Sequence, residues 1–385
     1  MATYKQYKKG TDELWQVRGY IGVDPLTGSK KQIRRSGFRT KKEARQAYDK
    51  ARREFELGLT QEMNKRLTYE QVYHEWLDLV YKDSVKESTL NKTLSYFKIH
   101  ILPRFGKYYI DKITDIMLQK ALNDWHKKYK KHKTYYNQTV RVLDYAFKKG
   151  YIRVNPKEKV LTEKKKIHYE SEQGDFEIYT KDQLKQFLGY LKSKGDVRWH
   201  CFFRLLAFTG MRKGEALALT WNDIHFKDGT LTINKTLSHG IGKRLIINSP
   251  KTEAGNRTIS VDAGTIQILK EWKATQAKLM LQHGFNTMKP NQLLFSKYST
   301  NEPLDPSTPY NRMKTITRLS GLPMMKVHGF RHTHCTLLFN AGVSINDVKN
   351  RLGHADIQTT MNIYAHITKE QEKESAEKFA QFVGF

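Results

Sequence analysis

The hydrophobic periodicity of this chain changes twice, and no single core satisfies all of its phases. Residues 14–38 alternate apolar and polar side chains around the turn DPLTG, as paired strands do. Thr40 then reads as an N-cap, with Glu43 three residues on as its capping-box partner and Gly58 as the stop of the helix that follows. From 67 to 160 the apolar spacing is helical throughout. Thr68 caps the first helix there, Pro103 is expected to end the second, and two more close at Asn155-Pro156. Residues 161–176 are polar and aperiodic. Beyond 180 the helical pattern returns, interrupted by strand-like stretches at 230–238, 243–248 and 257–262.

These phases predict a multidomain, mainly α chain. Residues 1–62 form a small three-stranded sheet plus one helix. Residues 66–160 form an all-α domain, and 161–176 a linker. Residues 177–385 form an α-rich domain with a small β-sheet insert and a C-terminal tail. The tail, from Thr368 to Phe385, has an approximate apolar face on Ala376, Phe379, Ala380, Phe382 and Val383.

The chain carries a formal net charge of +29 over 385 residues. The excess is +9 in residues 1–66, +10 in 67–170 and +10 in 171–385, so it belongs to every module rather than to one tail. Such a balance points to a polyanionic partner, nucleic acid or an anionic membrane surface. No apolar run approaches the ~20 residues of a transmembrane helix, and the N-terminus has no apolar signal region, which favours nucleic acid and a cytoplasmic setting. Cys201 and Cys335 both lie in apolar runs and read as reduced, buried thiols rather than a disulfide or metal framework. Arg18, Lys30, Lys31, Arg34 and Arg35 fall on the N-terminal strands, where a basic ribbon fits a major groove; a solvated sheet face is the plainer reading. The lysine run 127–133 is a solvated face or a track along a DNA backbone.

Five short segments carry chemistry. In TGMRKGE, a glycine turn leads into a helix beginning at or just after Arg212, where an arginine clamps phosphate oxygens with two donors. Pro250-Lys251-Thr252 places a lysine between two strand-like segments, at the tip of a hairpin, where it reaches a leaving oxygen. In HGFRH, His328, Arg331 and His332 share a helical face at i, i+3 and i+4. Arginine is no zinc ligand and no carboxylate or cysteine completes a set nearby, so phosphate suits this face better than metal. Leu352-Gly353-His354 ends a helix with a glycine followed by an imidazole. Tyr364 follows ten residues later. Each alone has an ordinary structural explanation, a surface arginine or a packed tyrosine among twenty-one.

Together, R…K…H-x-x-R…H…Y in this order resembles the tyrosine recombinase family. TGMRKGEALAL, VHGFRHTHCTLLFNAGV and RLGHADIQTTMNIYAH carry the resemblance. HILPRFG resembles the family's helical, SAM-like core-binding domain. The N-terminal DPLTG and RRSGFRTKKEA resemble the arm-binding domain of integrases from phages and conjugative elements of Gram-positive bacteria. The resemblance implies that Tyr364 attacks a DNA phosphodiester and becomes joined to the 3′ phosphate, while a 5′ hydroxyl departs and a partner strand's hydroxyl later reverses the step. It implies that Arg212 and Arg331 stabilise the transition state, His328 serves as acid–base, His354 donates to the phosphate and Lys251 protonates the leaving oxygen. Glu215 and His332 are expected to support their cationic neighbours.

Neither metal nor other cofactor is needed on this reading. The partners implied are double-stranded DNA at core and arm attachment sites, three further copies of the chain in a homotetramer on DNA, an excisionase-type directionality factor and a host DNA-bending protein, with no membrane. A non-integrative recombinase or a type IB topoisomerase shares the chemistry. A catalytically silent DNA-binding protein and a metal-dependent transposase are the readings from other classes.

Overall fold

The computed structural model describes residues 2–23, 28–56, 66–162, 178–250, 252–358, 360–361 and 383–384. Contacts divide the chain into two compact units, Met1–Glu163 and Lys164–Phe385. The first unit opens with three antiparallel strands in the order β1 (Ala2–Lys9), β2 (Asp12–Val23) and β3 (Lys30–Phe38), followed by helix α1 (Lys41–Glu56). The sequence pattern at 14–38 located β2 and β3; β1 joins β2 through the two-residue turn Gly10-Thr11, with Gly10 at φ +66°. Val17 is fully buried between the sheet and the α1 residues Ala44 and Tyr48, and the Tyr48 hydroxyl donates to the Tyr20 carbonyl at 2.5 Å. Thr40 caps α1 through the Glu43 amide at 3.2 Å, but the Glu43 carboxylate reaches back to the Arg39 amide rather than to that of Thr40. Gly58 lies outside the described residues.

The register decides which basic strand residues share a face. Arg18 pairs with Arg34, and Val17 with Arg35. Side chains alternate along a strand, so Arg18 and Arg34 point away from α1, while Arg35 lies on the side of buried Val17. Lys31 and Lys30 divide in the same way, Lys30 with Arg34 and Lys31 with Arg35. The single basic ribbon expected from sequence is therefore two faces. The outer one gains Lys5 of β1, which pairs with Gln16.

The helical part of this unit comprises α2 (Tyr69–Trp76), α3 (Glu87–Tyr96), α4 (Leu102–Phe105), α5 (Asp115–Lys128) and α6 (His132–Lys148). Thr68 forms a full capping box with Gln71. Aromatic side chains fill the core: Tyr73 stacks on Phe97 with ring centroids 4.2 Å apart. Pro103 does not end its helix. A π turn at Phe97–Ile101 runs directly into α4, and Pro103 stands in the first turn of α4. The start of the expected linker is held to α5, as the Leu161 amide donates to Gln119 at 2.8 Å; residues 163–177 lie outside the described residues.

The second unit packs α7 (Lys181–Ser193), α8 (Val197–Thr209), α9 (Lys213–Ala218), α10 (Ala263–Gln282), α11 (Thr308–Ser320), α12 (Gly329–Asn340) and α13 (Ile345–Leu352) with two small sheets. One orders β4 (Ile224–His225), β5 (Thr230–Ile233) and β8 (Arg257–Ser260); the other pairs β6 (Thr236–His239) with β7 (Leu245–Asn248). The expected single strand at 230–238 is thus two strands in different sheets. Between them Lys235 turns inward to the buried Asp223 carboxylate at 2.8 Å. β7 pairs with β6 and β8 with β5, so β7 and β8 do not form a hairpin with each other. Cys201 and Cys335 are both buried and unlinked.

Most of α8 is apolar on all sides because it runs through the core. Phe203 is fully buried against Phe187, Trp199, Phe202 and Phe330. Phe203→Ala is expected to destabilise this unit by ~3–5 kcal/mol, the range for truncating a buried aromatic. Urea unfolding of the full chain followed by tryptophan fluorescence checks it, and an unchanged midpoint would contradict this packing.

Candidate active site

α8 ends where Gly210 adopts the left-handed conformation, φ +65°. Two residues later Arg212 has extended backbone and occupies the N-cap of α9. This places Glu215 directly below it. The Glu215 carboxylate accepts the Arg212 amide at 2.9 Å on one oxygen and the Arg212 guanidinium at 2.8 Å on the other. Glu215 is 3% exposed, and its first oxygen also accepts Nη2 of Arg257 at 3.0 Å. Burial pushes the Glu215 pKa up, but the charge of Arg257 and the hydrogen bonds from Arg212 and Arg257 outweigh it and leave the group below its ordinary value. The carboxylate thus remains ionised and orients both arginines.

His328 sits at the N-cap position of α12, not within the helix, with helical backbone angles. Its ring still meets that of His332 edge to face, centroids 4.8 Å apart, as i, i+4 spacing requires. Arg331 lies between them in sequence and is 2% exposed. Its Nη1 donates to the Gly210 carbonyl at 2.8 Å and its Nη2 to the Leu352 carbonyl at 2.7 Å. One guanidinium therefore ties the end of α8 to the end of α13. Desolvation first, then Arg212, lowers its pKa to about 9, so it stays charged at neutral pH.

α13 ends at Gly353, φ +68°. A Cβ there would stand 2.5 Å from the Ala254 carbonyl oxygen and 3.0 Å from the Arg257 side chain, so only glycine lets the chain pass. His354 follows, 7% exposed, with Nδ1 2.8 Å from the buried Thr360 hydroxyl. Arg212, Glu215, His328, Arg331, His332 and His354 are thus near enough to act on one another electrostatically. Lys251 and Tyr364 lie outside the described residues, as does most of the C-terminal tail. Among the described residues, no three histidine, cysteine, aspartate or glutamate side chains group as a metal site.

Sequence reasoning missed a supporting layer. Arg257 shares a strand face with buried Ile259, an apolar position whose occupation by arginine was the available signal. His334 continues the HGFRH segment two residues on. Its Nδ1 faces the Ala207 carbonyl at 2.8 Å, so that nitrogen carries the hydrogen, and Nε2 accepts from Arg351 at 3.2 Å. Arg351 also donates to the Phe208 and Ser260 carbonyls. A fixed neutral imidazole thus links α8, α12 and α13.

The histidines share one electrostatic condition. Desolvation, followed by neighbouring histidine and arginine side chains, lowers His328 to about 4, His334 to about 4 and His354 to about 3, and also lowers His332. All are neutral at pH 7, able to accept a proton or to gain charge when an anion arrives. In the unfolded chain they protonate near their ordinary 6.5. Between about 6.5 and 4 the unfolded state therefore binds more protons, and stability, complete above that window, falls as pH drops through it. His334→Gln should shallow the decline of the urea midpoint between pH 6.5 and 5; an unaltered slope would refute the depressed imidazole.

The model of the phage integrase family matches residues 177–371, that of the phage integrase N-terminal SAM-like domain residues 68–126, and that of the arm DNA-binding domain residues 3–54. A tyrosine recombinase XerC-like protein of Caldanaerobacter subterraneus subsp. tengcongensis is 29% identical over 98% of both chains. The ICEBs1 integrase of Bacillus subtilis is 26% identical over 96% of this chain and 98% of its own. Among solved structures, the Tn1549 transposon integrase superposes with a TM-score of 0.62 at 22% identity, covering 82% of this chain and 100% of that one. A lambda integrase chain superposes with a TM-score of 0.54 at 18% identity over 93% of both. With half of its length matched by one family model and curated relatives along nearly all of it, this chain belongs to the phage integrase family and is a tyrosine recombinase, an enzyme that transfers DNA strands.

Proposed function

We propose that this chain integrates and excises a mobile element by cutting and rejoining double-stranded DNA through Tyr364. The observation that carries this reading is the convergence of Arg212, Arg331 and His354 with His328 over one buried carboxylate, a cationic and proton-accepting site built for a phosphodiester. The Tyr364 hydroxyl attacks phosphorus and a P–O bond forms to the phenolic oxygen. The P–O5′ bond breaks, leaving the protein on the 3′ phosphate. A free tyrosine has a pKa of ~10, so the phenolic proton must be taken up as the bond forms, and neutral His328 accepts it. Lys251 gives a proton to the departing 5′ oxygen. Arg212 and Arg331 stabilise the charge that develops on the non-bridging oxygens, and His354 donates to the same phosphate. A 5′ hydroxyl from the partner duplex then reverses the step, so one ester replaces another.

Exchange between two duplexes needs four strand cleavages, which four copies of the chain provide. The outer face with Lys5, Arg18, Lys30 and Arg34 is assigned to arm-site DNA, whereas Lys31 and Arg35 lie on the helix side and contribute less. An excisionase-type factor and a host DNA-bending protein would act by changing which arm sites this face reaches. The relative named ICEBs1 integrase and the Tn1549 integrase, whose structure holds circular intermediate DNA, support a mobile-element role.

A nicked duplex bearing the element's junction traps the covalent intermediate. The unaltered protein should yield a phosphotyrosine adduct at Tyr364, in EDTA as in magnesium, and Tyr364→Phe should bind the duplex without forming one; an adduct in that variant would remove Tyr364 from the mechanism. Arg331→Ala should slow adduct formation by ~10²–10³-fold, the usual consequence of losing one charge-stabilising donor. For the outer face, Arg34→Ala should weaken arm-site binding and reduce the slope of log affinity against log salt by about one, whereas Arg35→Ala should leave both closer to the parent. Gel-shift titration across salt concentrations reads this, and equal effects would reject the division of faces.

A further inference from the structure

We infer that Arg257 is a positioning residue for strand transfer, setting the distance between the Arg212 clamp and the His354 turn; this rests on the reading of the site given above. Its side chain is only 7% exposed and is committed in three directions. Nη2 donates to Glu215 at 3.0 Å, Nε to the Arg351 carbonyl at 2.9 Å and Nη1 to the Gly255 carbonyl at 3.2 Å. The first contact reaches Arg212 through one carboxylate, because the Glu215 oxygen that accepts Arg257 also accepts the Arg212 amide. The second holds the last turn of α13, two residues before Gly353. The missing side chain of Gly353 lets that backbone press against Arg257, whose Cδ and Nη1 would stand 3.0 Å from a Cβ placed there.

Arg257 is therefore a three-way fork between two groups that must meet the same phosphate. It does not touch DNA in this role. A displacement of about 1 Å in such a pair costs ~10²-fold in rate, even when every reacting group is present. Lysine keeps the charge but has no planar fork and cannot reach three acceptors in fixed directions. Arg257→Lys should retain the ion pair with Glu215 and still lose alignment; Arg257→Gln should lose both.

The test uses two nicked duplexes of the same junction sequence. One has an ordinary phosphodiester at the cleaved position, the other a methylphosphonate, in which a methyl group replaces a charged non-bridging oxygen. On the phosphodiester, Arg257→Gln should form adduct ~10²-fold more slowly than the parent, and Arg257→Lys should fall between them, with DNA affinity near the parent's in both. On the methylphosphonate the charge to be aligned is absent, and the gap between Arg257→Gln and parent should shrink to ~10-fold or less. The neutral substrate also reports folding, since adduct formation on it still needs an intact domain. An equal loss on both duplexes would reduce Arg257 to a structural residue, and no loss on either would remove it from the site altogether; both overturn the inference. Absence of adduct from the unaltered protein would instead refute the strand-transfer reading itself.

Discussion

The site depends on one buried carboxylate. Glu215 would be costly to bury alone, and its ionisation is sustained by two guanidiniums that approach from opposite parts of the chain, Arg212 three residues before it and Arg257 forty-two after it. The dependence runs both ways. Without Glu215 the two arginines would repel each other and Arg331 beyond them, and the positive field would spread rather than converge. The carboxylate thus allows several cations to occupy a small volume before any phosphate is present.

What the sequence made legible was local. Arg212 and Glu215 are one helical turn apart, His328, Arg331 and His332 recur at i, i+3 and i+4, and Gly353-His354 ends a helix, so each motif follows from backbone geometry over a few residues. The long-range partners were not readable. Arg257 meets Glu215 across forty-two residues and Arg351 across ninety-four, and the Arg351–His334 pair spans seventeen residues in two helices. Strand character runs along 230–238, but β5 and β6 part around Lys235, which bonds to Asp223 in a tertiary contact. Pro103 carries the ordinary stop signal, but the π turn before it lets the helical path run on into α4.

The N-terminal sheet teaches the same distinction for binding surfaces. Composition placed five basic residues on two strands and could not say which way each faced. Pairing register did: Val17 must be buried against α1, and that single apolar requirement turns Arg35 to the same side and Arg18 and Arg34 to the other. The helical module that follows buries Tyr69, Phe97 and Phe105 but leaves Tyr108, Tyr109, Tyr129 and Phe147 exposed, so burial fixes only part of its surface.

Arg331 has a further consequence, from what its two carbonyl partners are. Gly210 closes α8 and Leu352 is the last residue of α13, so both bonds reach the negative ends of helix macrodipoles. Aligned peptide dipoles concentrate a partial negative charge there of roughly half an electron each. A guanidinium buried in this way is steadied by two diffuse backbone charges, and among the described residues no carboxylate bonds to it directly. A direct carboxylate partner would satisfy Arg331 and cancel its field at short range. Two helix ends offset the cost of burying the cation while leaving most of its attraction for an anion that arrives later, which is the condition a residue must meet if it is to be both structural and electrophilic.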